Sequence, residues 1–364
     1  MSVIHINESL NELEAIINKN DSVFVIIDNN LKPYCSQFNN FNIIWVDTSE
    51  NEKTLETVAY ITGQLLEMGA HRGSFIVGVG GGITTDITGF VASTYKRGVK
   101  FGFVPTTLLA QVDASIGGKN GVNFNSYKNI IGCINQPEWI YIAPSMLSSL
   151  NAREFRAGIA EVLKTFMLFD ANYYRVAVDY FVELKHIWER EGSYAPDGSF
   201  YKMELLTEII GKCAQYKCGV VERDEFERGE RRLLNLGHTF AHAIEKICGE
   251  GDGDGTMPGS IMHGEAVSIG MVLAAKLSGR MGLASEEFVK MVEEDLRNVG
   301  LPVDVPTDPH TGKQIAIGQM IEALKKDKKA SGEYINFIMP QDLACVKDLK
   351  ILIKDLEELS SDLY

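Results

Sequence analysis

The chain has 364 residues, 45% hydrophobic and 23% charged, and a formal net charge of −14. That length can bury a large core and divide into two domains, and the acidic balance argues against a nucleic-acid partner, which would need basic side chains to displace counterions from phosphates. No run reaches the ~18 apolar residues of a membrane span, the opening MSVIHINESL lacks the character of a leader peptide, and six cysteines without a CxxC pair indicate neither a disulfide framework nor a thiolate zinc site; the expectation is a cytoplasmic protein with reduced thiols and no membrane partner.

Up to about residue 145, short β-branched runs alternate with helical stretches: VFVIID at 23–28, NIIWVD at 42–47, FIVGVGGG at 75–82 and FVPTT at 103–107. This is the pattern of a parallel sheet covered by helices. Between the second and third runs, ETVAYITGQLLEMGA sets Val58, Ile61, Leu65 and Leu66 on one stripe, as a crossover helix requires. Near Pro144 the texture changes. Asn151 with Glu154 three later reads as an N-cap and capping pair, and helical stripes follow at 152–168, 172–189, 202–221, 232–247, 263–281 and 285–298, with turn-rich loops at 192–199 and 249–260. The expected fold is a Rossmann-like α/β nucleotide-binding domain over 1–150 followed by a mostly α-helical domain over 151–364 that binds metal and substrate, with the ligand site between them.

In FIVGVGGGITTDITGF a strand runs into Gly78, Gly80, Gly81 and Gly82 and then into a helix bearing Asp86. Such a turn lets a pyrophosphate approach free helix N–H groups, although the spacing misses GxGxxG and an ordinary tight turn would look the same. His238 and His242 stand four apart on one helical face, and His263 opens another apolar helix. The pattern is not HExxH, because Thr239 follows His238; a carboxylate from a third helix, such as Glu161, would complete a Glu/His/His metal site, and the alternative is three structural histidines. Lys164 follows Glu161 by three residues, either as an exposed ion pair or, in the apolar AGIAEVLKTFML, as a buried pair that needs further partners. Arg97, Lys119, Lys128, Lys164, Lys217 and Arg231 likewise form either a basic pocket for an anionic substrate or separate surface charges.

The stretches GGGITTDITGFVASTYKRG, VPTTLLAQVDASIGGKNGVN, KNIIG, REFRAGIAEVLK, RRLLNLGHTFAHAIE and MHGEAV, in that order, resemble the 3-dehydroquinate synthase family of sugar phosphate cyclases from about Asp28 to Pro340. The resemblance implies Glu161, His238 and His263 as ligands of a divalent metal, zinc or cobalt. It implies NAD contacts from Asp28, Glu50, Lys53, Gly81, Gly82, Asp86, Thr106 and Thr107. Substrate contacts are implied for Asp113, Lys119, Lys128, Asn129, Lys164, Lys217, Arg231, Asn235 and His242, with Lys119, Asn129, Lys164 and His242 as the catalytic set. One lysine of DKK, Lys328 in preference to Lys329, adds a further contact. Arg97 would reach the substrate phosphate of a neighbouring subunit, implying a homodimer. The family reaction is conversion of 3-deoxy-D-arabino-heptulosonate 7-phosphate to 3-dehydroquinate and phosphate, by transient NAD-dependent oxidation, elimination, reduction and intramolecular aldol closure. Two features depart from the pattern: Asn120 stands in GGKNG where GGKTG is expected, and the segment between His242 and His263 is long and glycine-rich. The rival readings are another sugar phosphate cyclase, an iron-type metal-dependent polyol dehydrogenase and an inactive NAD-binding scaffold.

Overall fold

The structure, a computed structural model, describes residues 2–17, 22–34, 36–125, 127–195, 199–249, 260–327, 333–360 and 363. It divides into two compact units, Met1–Asn151 with Ala195–Phe226 and Ala152–Tyr194 with Glu227–Tyr364.

The first unit contains β1 (Val3–Ile6), α1 (Leu13–Ile17), β2 (Val23–Asp28), β3 (Asn42–Val46), α2 (Leu55–Glu67), β4 (Phe75–Gly80), α3 (Gly82–Thr94), β5 (Lys100–Pro105), β6 (Lys119–Phe124), β7 (Tyr127–Ile134) and β8 (Trp139–Ile142). Six of these strands form one parallel sheet in the order β1-β8-β5-β4-β2-β3. Val25–Ile27 and Ile76–Val79 are buried throughout, because helices cover both faces of a parallel sheet; their apolar runs are therefore continuous. The stripe on α2 holds for Val58, Ile61 and Leu65, whereas Leu66 lies at the helix edge and is exposed. Thr54 caps this helix by accepting the Thr57 N–H.

The order in which strands are added reverses around β2, which has β3 on one side and β4 on the other. The carboxyl ends of β2 and β4 thus flank a topological switch point, where doubly wound sheets take nucleotides. Asp28 ends one strand, and Gly81 and Gly82 follow the other into α3. The β6–β7 hairpin is inserted between β5 and β8.

Beyond β8 run α4 (Ala152–Phe169) and α5 (Ala171–Glu191) in the second unit, then α6 (Met203–Arg223), which packs with the first. The second unit continues with α7 (His238–Cys248), α8 (His263–Arg280), α9 (Glu286–Asn298), α10 (Ile317–Asp327), an antiparallel ribbon of β9 (Tyr334–Asp342) and β10 (Cys345–Leu352), and α11 (Ile353–Leu359). Helix α8 is its centre, with Val267, Ile269, Met271, Val272 and Leu273 all buried. Asp170 and Ser285 cap α5 and α9, and α5 stops at Gly192 in the left-handed region.

One expected helix becomes two elements. The stripe at 232–247 is a 3₁₀ segment, Glu230–Asn235, followed by α7, which starts only at His238 because Gly237 breaks the chain at φ +78°. None of the described cysteines forms a disulfide.

Candidate active site

In the second unit two close crossings bring three chain segments together. A Cβ on Gly264 would stand 1.8 Å from the Ala157 carbonyl oxygen, so α8 can meet α4 this closely only at glycine. His263 therefore lies beside the turn of α4 that leads into Glu161. Likewise a Cβ on Gly270 would come within 2.1 Å of the Gly237 carbonyl, which holds the start of α7, and hence His238, against α8. Ligand atoms of Glu161, His238 and His263 lie within 4.8 Å of one another.

Glu161 and Lys164 are fully buried and paired, which excludes the exposed alternative. Lys164 forms an ion pair with Oε2 of the carboxylate. Oε1 lies 3.6 Å from Nε2 of both His238 and His263, beyond hydrogen-bond reach, and has no hydrogen-bond partner. Both imidazoles are engaged at the other nitrogen, His238 Nδ1 with the Leu236 carbonyl at 3.1 Å and His263 Nδ1 with Glu245 at 2.9 Å. Since those partners only accept, each Nδ1 carries hydrogen and each Nε2 faces Glu161. A buried carboxylate oxygen with no donor, beside two inward-facing imidazole nitrogens, is a fitting donor set for a divalent cation.

The electrostatics agree. Burial alone would raise the Glu161 carboxyl, but Lys164 and the two imidazoles hold it well below the usual carboxylate range. Burial and the Lys164 charge push His238 down to about 3, so it is neutral. Burial opposes a charge on His263 too, yet Glu161 and Glu245 push its pKa up to about 10. Without a cation, a proton on His263 balances the carboxylates; a metal would replace that proton.

His242 is exposed on α7, its ring centroid 5.7 Å from that of His238. Arg231 is buried in the 3₁₀ segment, so it does not continue α7 along the face of His238. Asn235 donates to Glu227 at 2.7 Å. An Arg153 fork on α4 grips Glu265 of α8 at 2.7 and 2.8 Å and reaches the Ser260 carbonyl at 2.9 Å.

In the first unit Lys53 is the hub. Its ammonium, almost wholly buried, lies 2.6 Å from both Asp86 Oδ2 and Asn129 Oδ1. Burial raises the Asp86 pKa, with Lys53 opposing. Asn123 ties this hub to the hairpin: its amide donates to Glu50 Oε1 at 2.6 Å, its carbonyl accepts the Asn129 N–H at 2.9 Å, and its own N–H meets the Lys53 carbonyl at 2.8 Å. Asp28 accepts from the Thr48 hydroxyl and the Asn30 N–H. Gly81 caps α3, where a Cβ would stand 2.9 Å from the Thr107 methyl, and the Thr106 N–H meets the Gly80 carbonyl at 2.9 Å. Lys217 on α6 donates to the carboxylate and the carbonyl of Asp113, each at 2.6 Å.

Lys119 and Lys128 are exposed on the hairpin, and Arg97 is exposed at φ +71° just after α3, without a carboxylate partner among the described residues. Asn120 is buried, donating to the carbonyls of Gly118 and Asn135, and covers Gly89 of α3. Lys328, like Lys329, lies outside the described residues. Asn123, Glu227 and Glu245 escaped the sequence reading. Glu245, seven residues after His238, stands two turns along the same face, a spacing that could have pointed to it.

Residues 43–157 match the model of the 3-dehydroquinate synthase N-terminal domain, and residues 158–330 that of the C-terminal domain. The chain belongs to the 3-dehydroquinate synthase family. It is 38% identical over 305 residues to the 3-dehydroquinate synthase of Prochlorococcus marinus, covering 84% of this chain and 76% of the relative. It is also 38% identical over 331 residues to that of Coxiella burnetii, covering 91% and 84%. Among solved structures it resembles the 2-epi-5-epi-valiolone synthase of Streptomyces hygroscopicus subsp. jinggangensis, which has NAD+ and Zn2+ bound, with a TM-score of 0.82 and 24% identity over 100% of this chain and 96% of the other. That last likeness establishes the family's fold: a parallel sheet with helices and a helical second half. No described helix is long and apolar enough to cross a membrane.

Proposed function

We propose that the protein is the lyase that converts 3-deoxy-D-arabino-heptulosonate 7-phosphate to 3-dehydroquinate with release of phosphate, using bound NAD and a divalent metal, zinc or alternatively cobalt. Family membership supports the reaction. The metal rests on one observation: a fully buried Glu161 oxygen, without a hydrogen bond, facing two imidazole nitrogens at 3.6 Å. Glu161, His238 and His263 would hold the metal, and Asp28, Glu50, Lys53, Gly81, Gly82, Asp86, Thr106 and Thr107 the dinucleotide. When bound, the metal supplies Lewis-acid polarisation of substrate oxygens and the nicotinamide supplies reversible hydride transfer.

The chain's own residues bind, orient and move protons. Arg231 offers a planar fork for the substrate carboxylate, a geometry that lysine lacks. Lys119, Lys128 and Lys217 neutralise phosphate and donate to hydroxyls, with Lys217 held by Asp113. Lys164, paired with Glu161, donates a hydrogen bond to substrate oxygen. Asn129, fixed by Lys53 and Asn123, and Asn235, fixed by Glu227, orient the sugar. His242, exposed one turn beyond His238, moves protons during oxidation. Lys328 adds a further cationic contact. The exposed Arg97 supports a homodimer in which it reaches the neighbouring subunit's substrate phosphate, and a biosynthetic enzyme of this family fits a cytoplasmic location.

The test supplies the heptulosonate phosphate, catalytic NAD+ and added Zn2+ or Co2+. Phosphate and dehydroquinate are expected in equal amounts at constant total NADH. Net NADH from a simple polyol without phosphate release would favour the iron-type dehydrogenase, and turnover of an uncarboxylated or amino analogue in preference to the acid would favour another cyclase.

A further inference from the structure

We infer that Glu245 is a positioning residue for His263: it accepts the imidazole Nδ1–H bond and so fixes the ring with Nε2 turned toward Glu161 and His238. The inference rests on the metal-site reading above and extends it to a side chain outside the ligand set.

Glu245 lies on α7 and is buried, a placement that costs several kcal/mol for a carboxylate without compensation. It faces the first residue of α8, with Oε1 2.9 Å from His263 Nδ1. A carboxylate only accepts, so the bond selects Nδ1 as the hydrogen-bearing nitrogen and leaves Nε2 as the one 3.6 Å from Glu161 Oε1. His238 is held the same way by the Leu236 carbonyl. The two imidazoles thus share one orienting device, built from backbone for the histidine that starts α7 and from a side chain for the one that starts α8. His263 has particular need of it. It follows the long segment after α7, its side chain is about a third exposed, and α4 touches its helix through the adjacent Gly264. Histidines that hold metals generally donate their second N–H to such an acceptor, and losing that partner typically weakens metal affinity by about 10–100-fold.

The test compares Zn2+ dissociation constants, measured against a chromophoric chelator, for the whole protein and for three variants whose folding is checked by circular dichroism. Glu245→Leu keeps the volume and removes the acceptor; Glu245→Ala replaces it if leucine does not fold. Glu245→Gln keeps an acceptor oxygen without the charge. His263→Ala tests the metal site itself. Loss of about 10–100-fold is expected for leucine, with recovery of most of it by glutamine. The Co2+ form of the leucine variant should show an altered visible absorption band. Leucine binding zinc as tightly as the wild type would overturn the positioning role, as would glutamine no tighter than leucine, since charge and not orientation would then matter. If His263→Ala binds as tightly as the wild type, the metal site lies elsewhere and the underlying reading fails instead.

Discussion

In the first unit the Lys53 ammonium is matched by Asp86 and Asn129, and Asn123 closes the circuit through Glu50, whereas in the second unit Glu161 is buried with its carboxylate oxygens outside any hydrogen bond. Both regions bury charge. They differ in whether the chain completes the hydrogen bonding by itself. A closed network has a shape before its ligand arrives and presents hydrogen-bonding edges to it. An open set has its geometry but leaves ligating atoms for a cation to join, and such a site depends on whatever holds its members at the right spacing.

The largest expected effect tests the open set. Glu161→Gln removes the anionic ligand and strands the Lys164 charge in a buried position, so stability should fall by about 3–5 kcal/mol in urea unfolding. Adding Lys164→Met should restore most of that stability while zinc remains absent after gel filtration. If Glu161→Gln alone is as stable as the wild type, the buried Lys164 does not depend on Glu161 for its compensation; if the double variant still retains zinc, the ligand set is wrong.

Lys53→Met tests the closed network. It removes charge-assisted bonds to Asp86 and Asn129, and should lower stability by about 1.5–3 kcal/mol and weaken NAD binding while leaving zinc content unchanged. Calorimetric titration with NAD+ and metal analysis measure the two sides separately. Equal loss of zinc and NAD would mean that the two regions do not bind independently.

A third substitution acts on spacing. Gly264→Ala drives a methyl into the Ala157 carbonyl, a backbone atom that cannot rotate away, so α8 must retreat from α4. A cost of about 1–3 kcal/mol is expected, with weaker zinc binding even though every ligand remains. Gly63→Ala on α2, where a Cβ meets nothing within 4 Å, serves as the control and should stabilise slightly. Unchanged zinc affinity in Gly264→Ala would show that the cluster does not depend on this crossing.

Much of this was legible because the relevant signals are local. The apolar runs of β2 and β4 and the glycines after β4 announce a parallel sheet with a switch point, and the four-residue step from His238 to His242 announces one face of a helix. What escaped depends on context. The stripe at 232–247 reads as one helix, but Gly237 adopts φ +78° and divides it, a conformation that periodicity does not register. The β9–β10 ribbon is hidden in the sequence because Pro340, a residue uncommon inside strands, lies within β9. The periodicity of α6 shows which face is buried but not that the sheet-bearing unit is what it packs with. Glu245 reads as a solvated end of an apolar helix until His263 stands beside it. Asn123 reads as a turn residue until Glu50 and Asn129 converge on it.

The smallest expected effect concerns residues 250–259, the glycine-rich stretch whose length departs from the family pattern. The Ile261 N–H donates to the Gly249 carbonyl at 3.2 Å, so the chain on either side of this stretch is already joined. From there His263 is fixed by residues on other segments. Arg153 holds the Ser260 carbonyl and Glu265, the Met262 N–H closes onto Glu265 at 3.0 Å, and Glu245 takes the imidazole. Replacing the stretch with a four-residue Gly/Ser turn changes the loop-closure entropy by less than about 1 kcal/mol. Zinc affinity should therefore stay within about threefold of the wild type, a difference of about 0.6 kcal/mol. Competition with the same chelator measures it. A loss approaching that of a missing ligand would mean that the stretch itself holds His263 in place, and the open set would then owe its geometry to a loop and not to the helices that frame it.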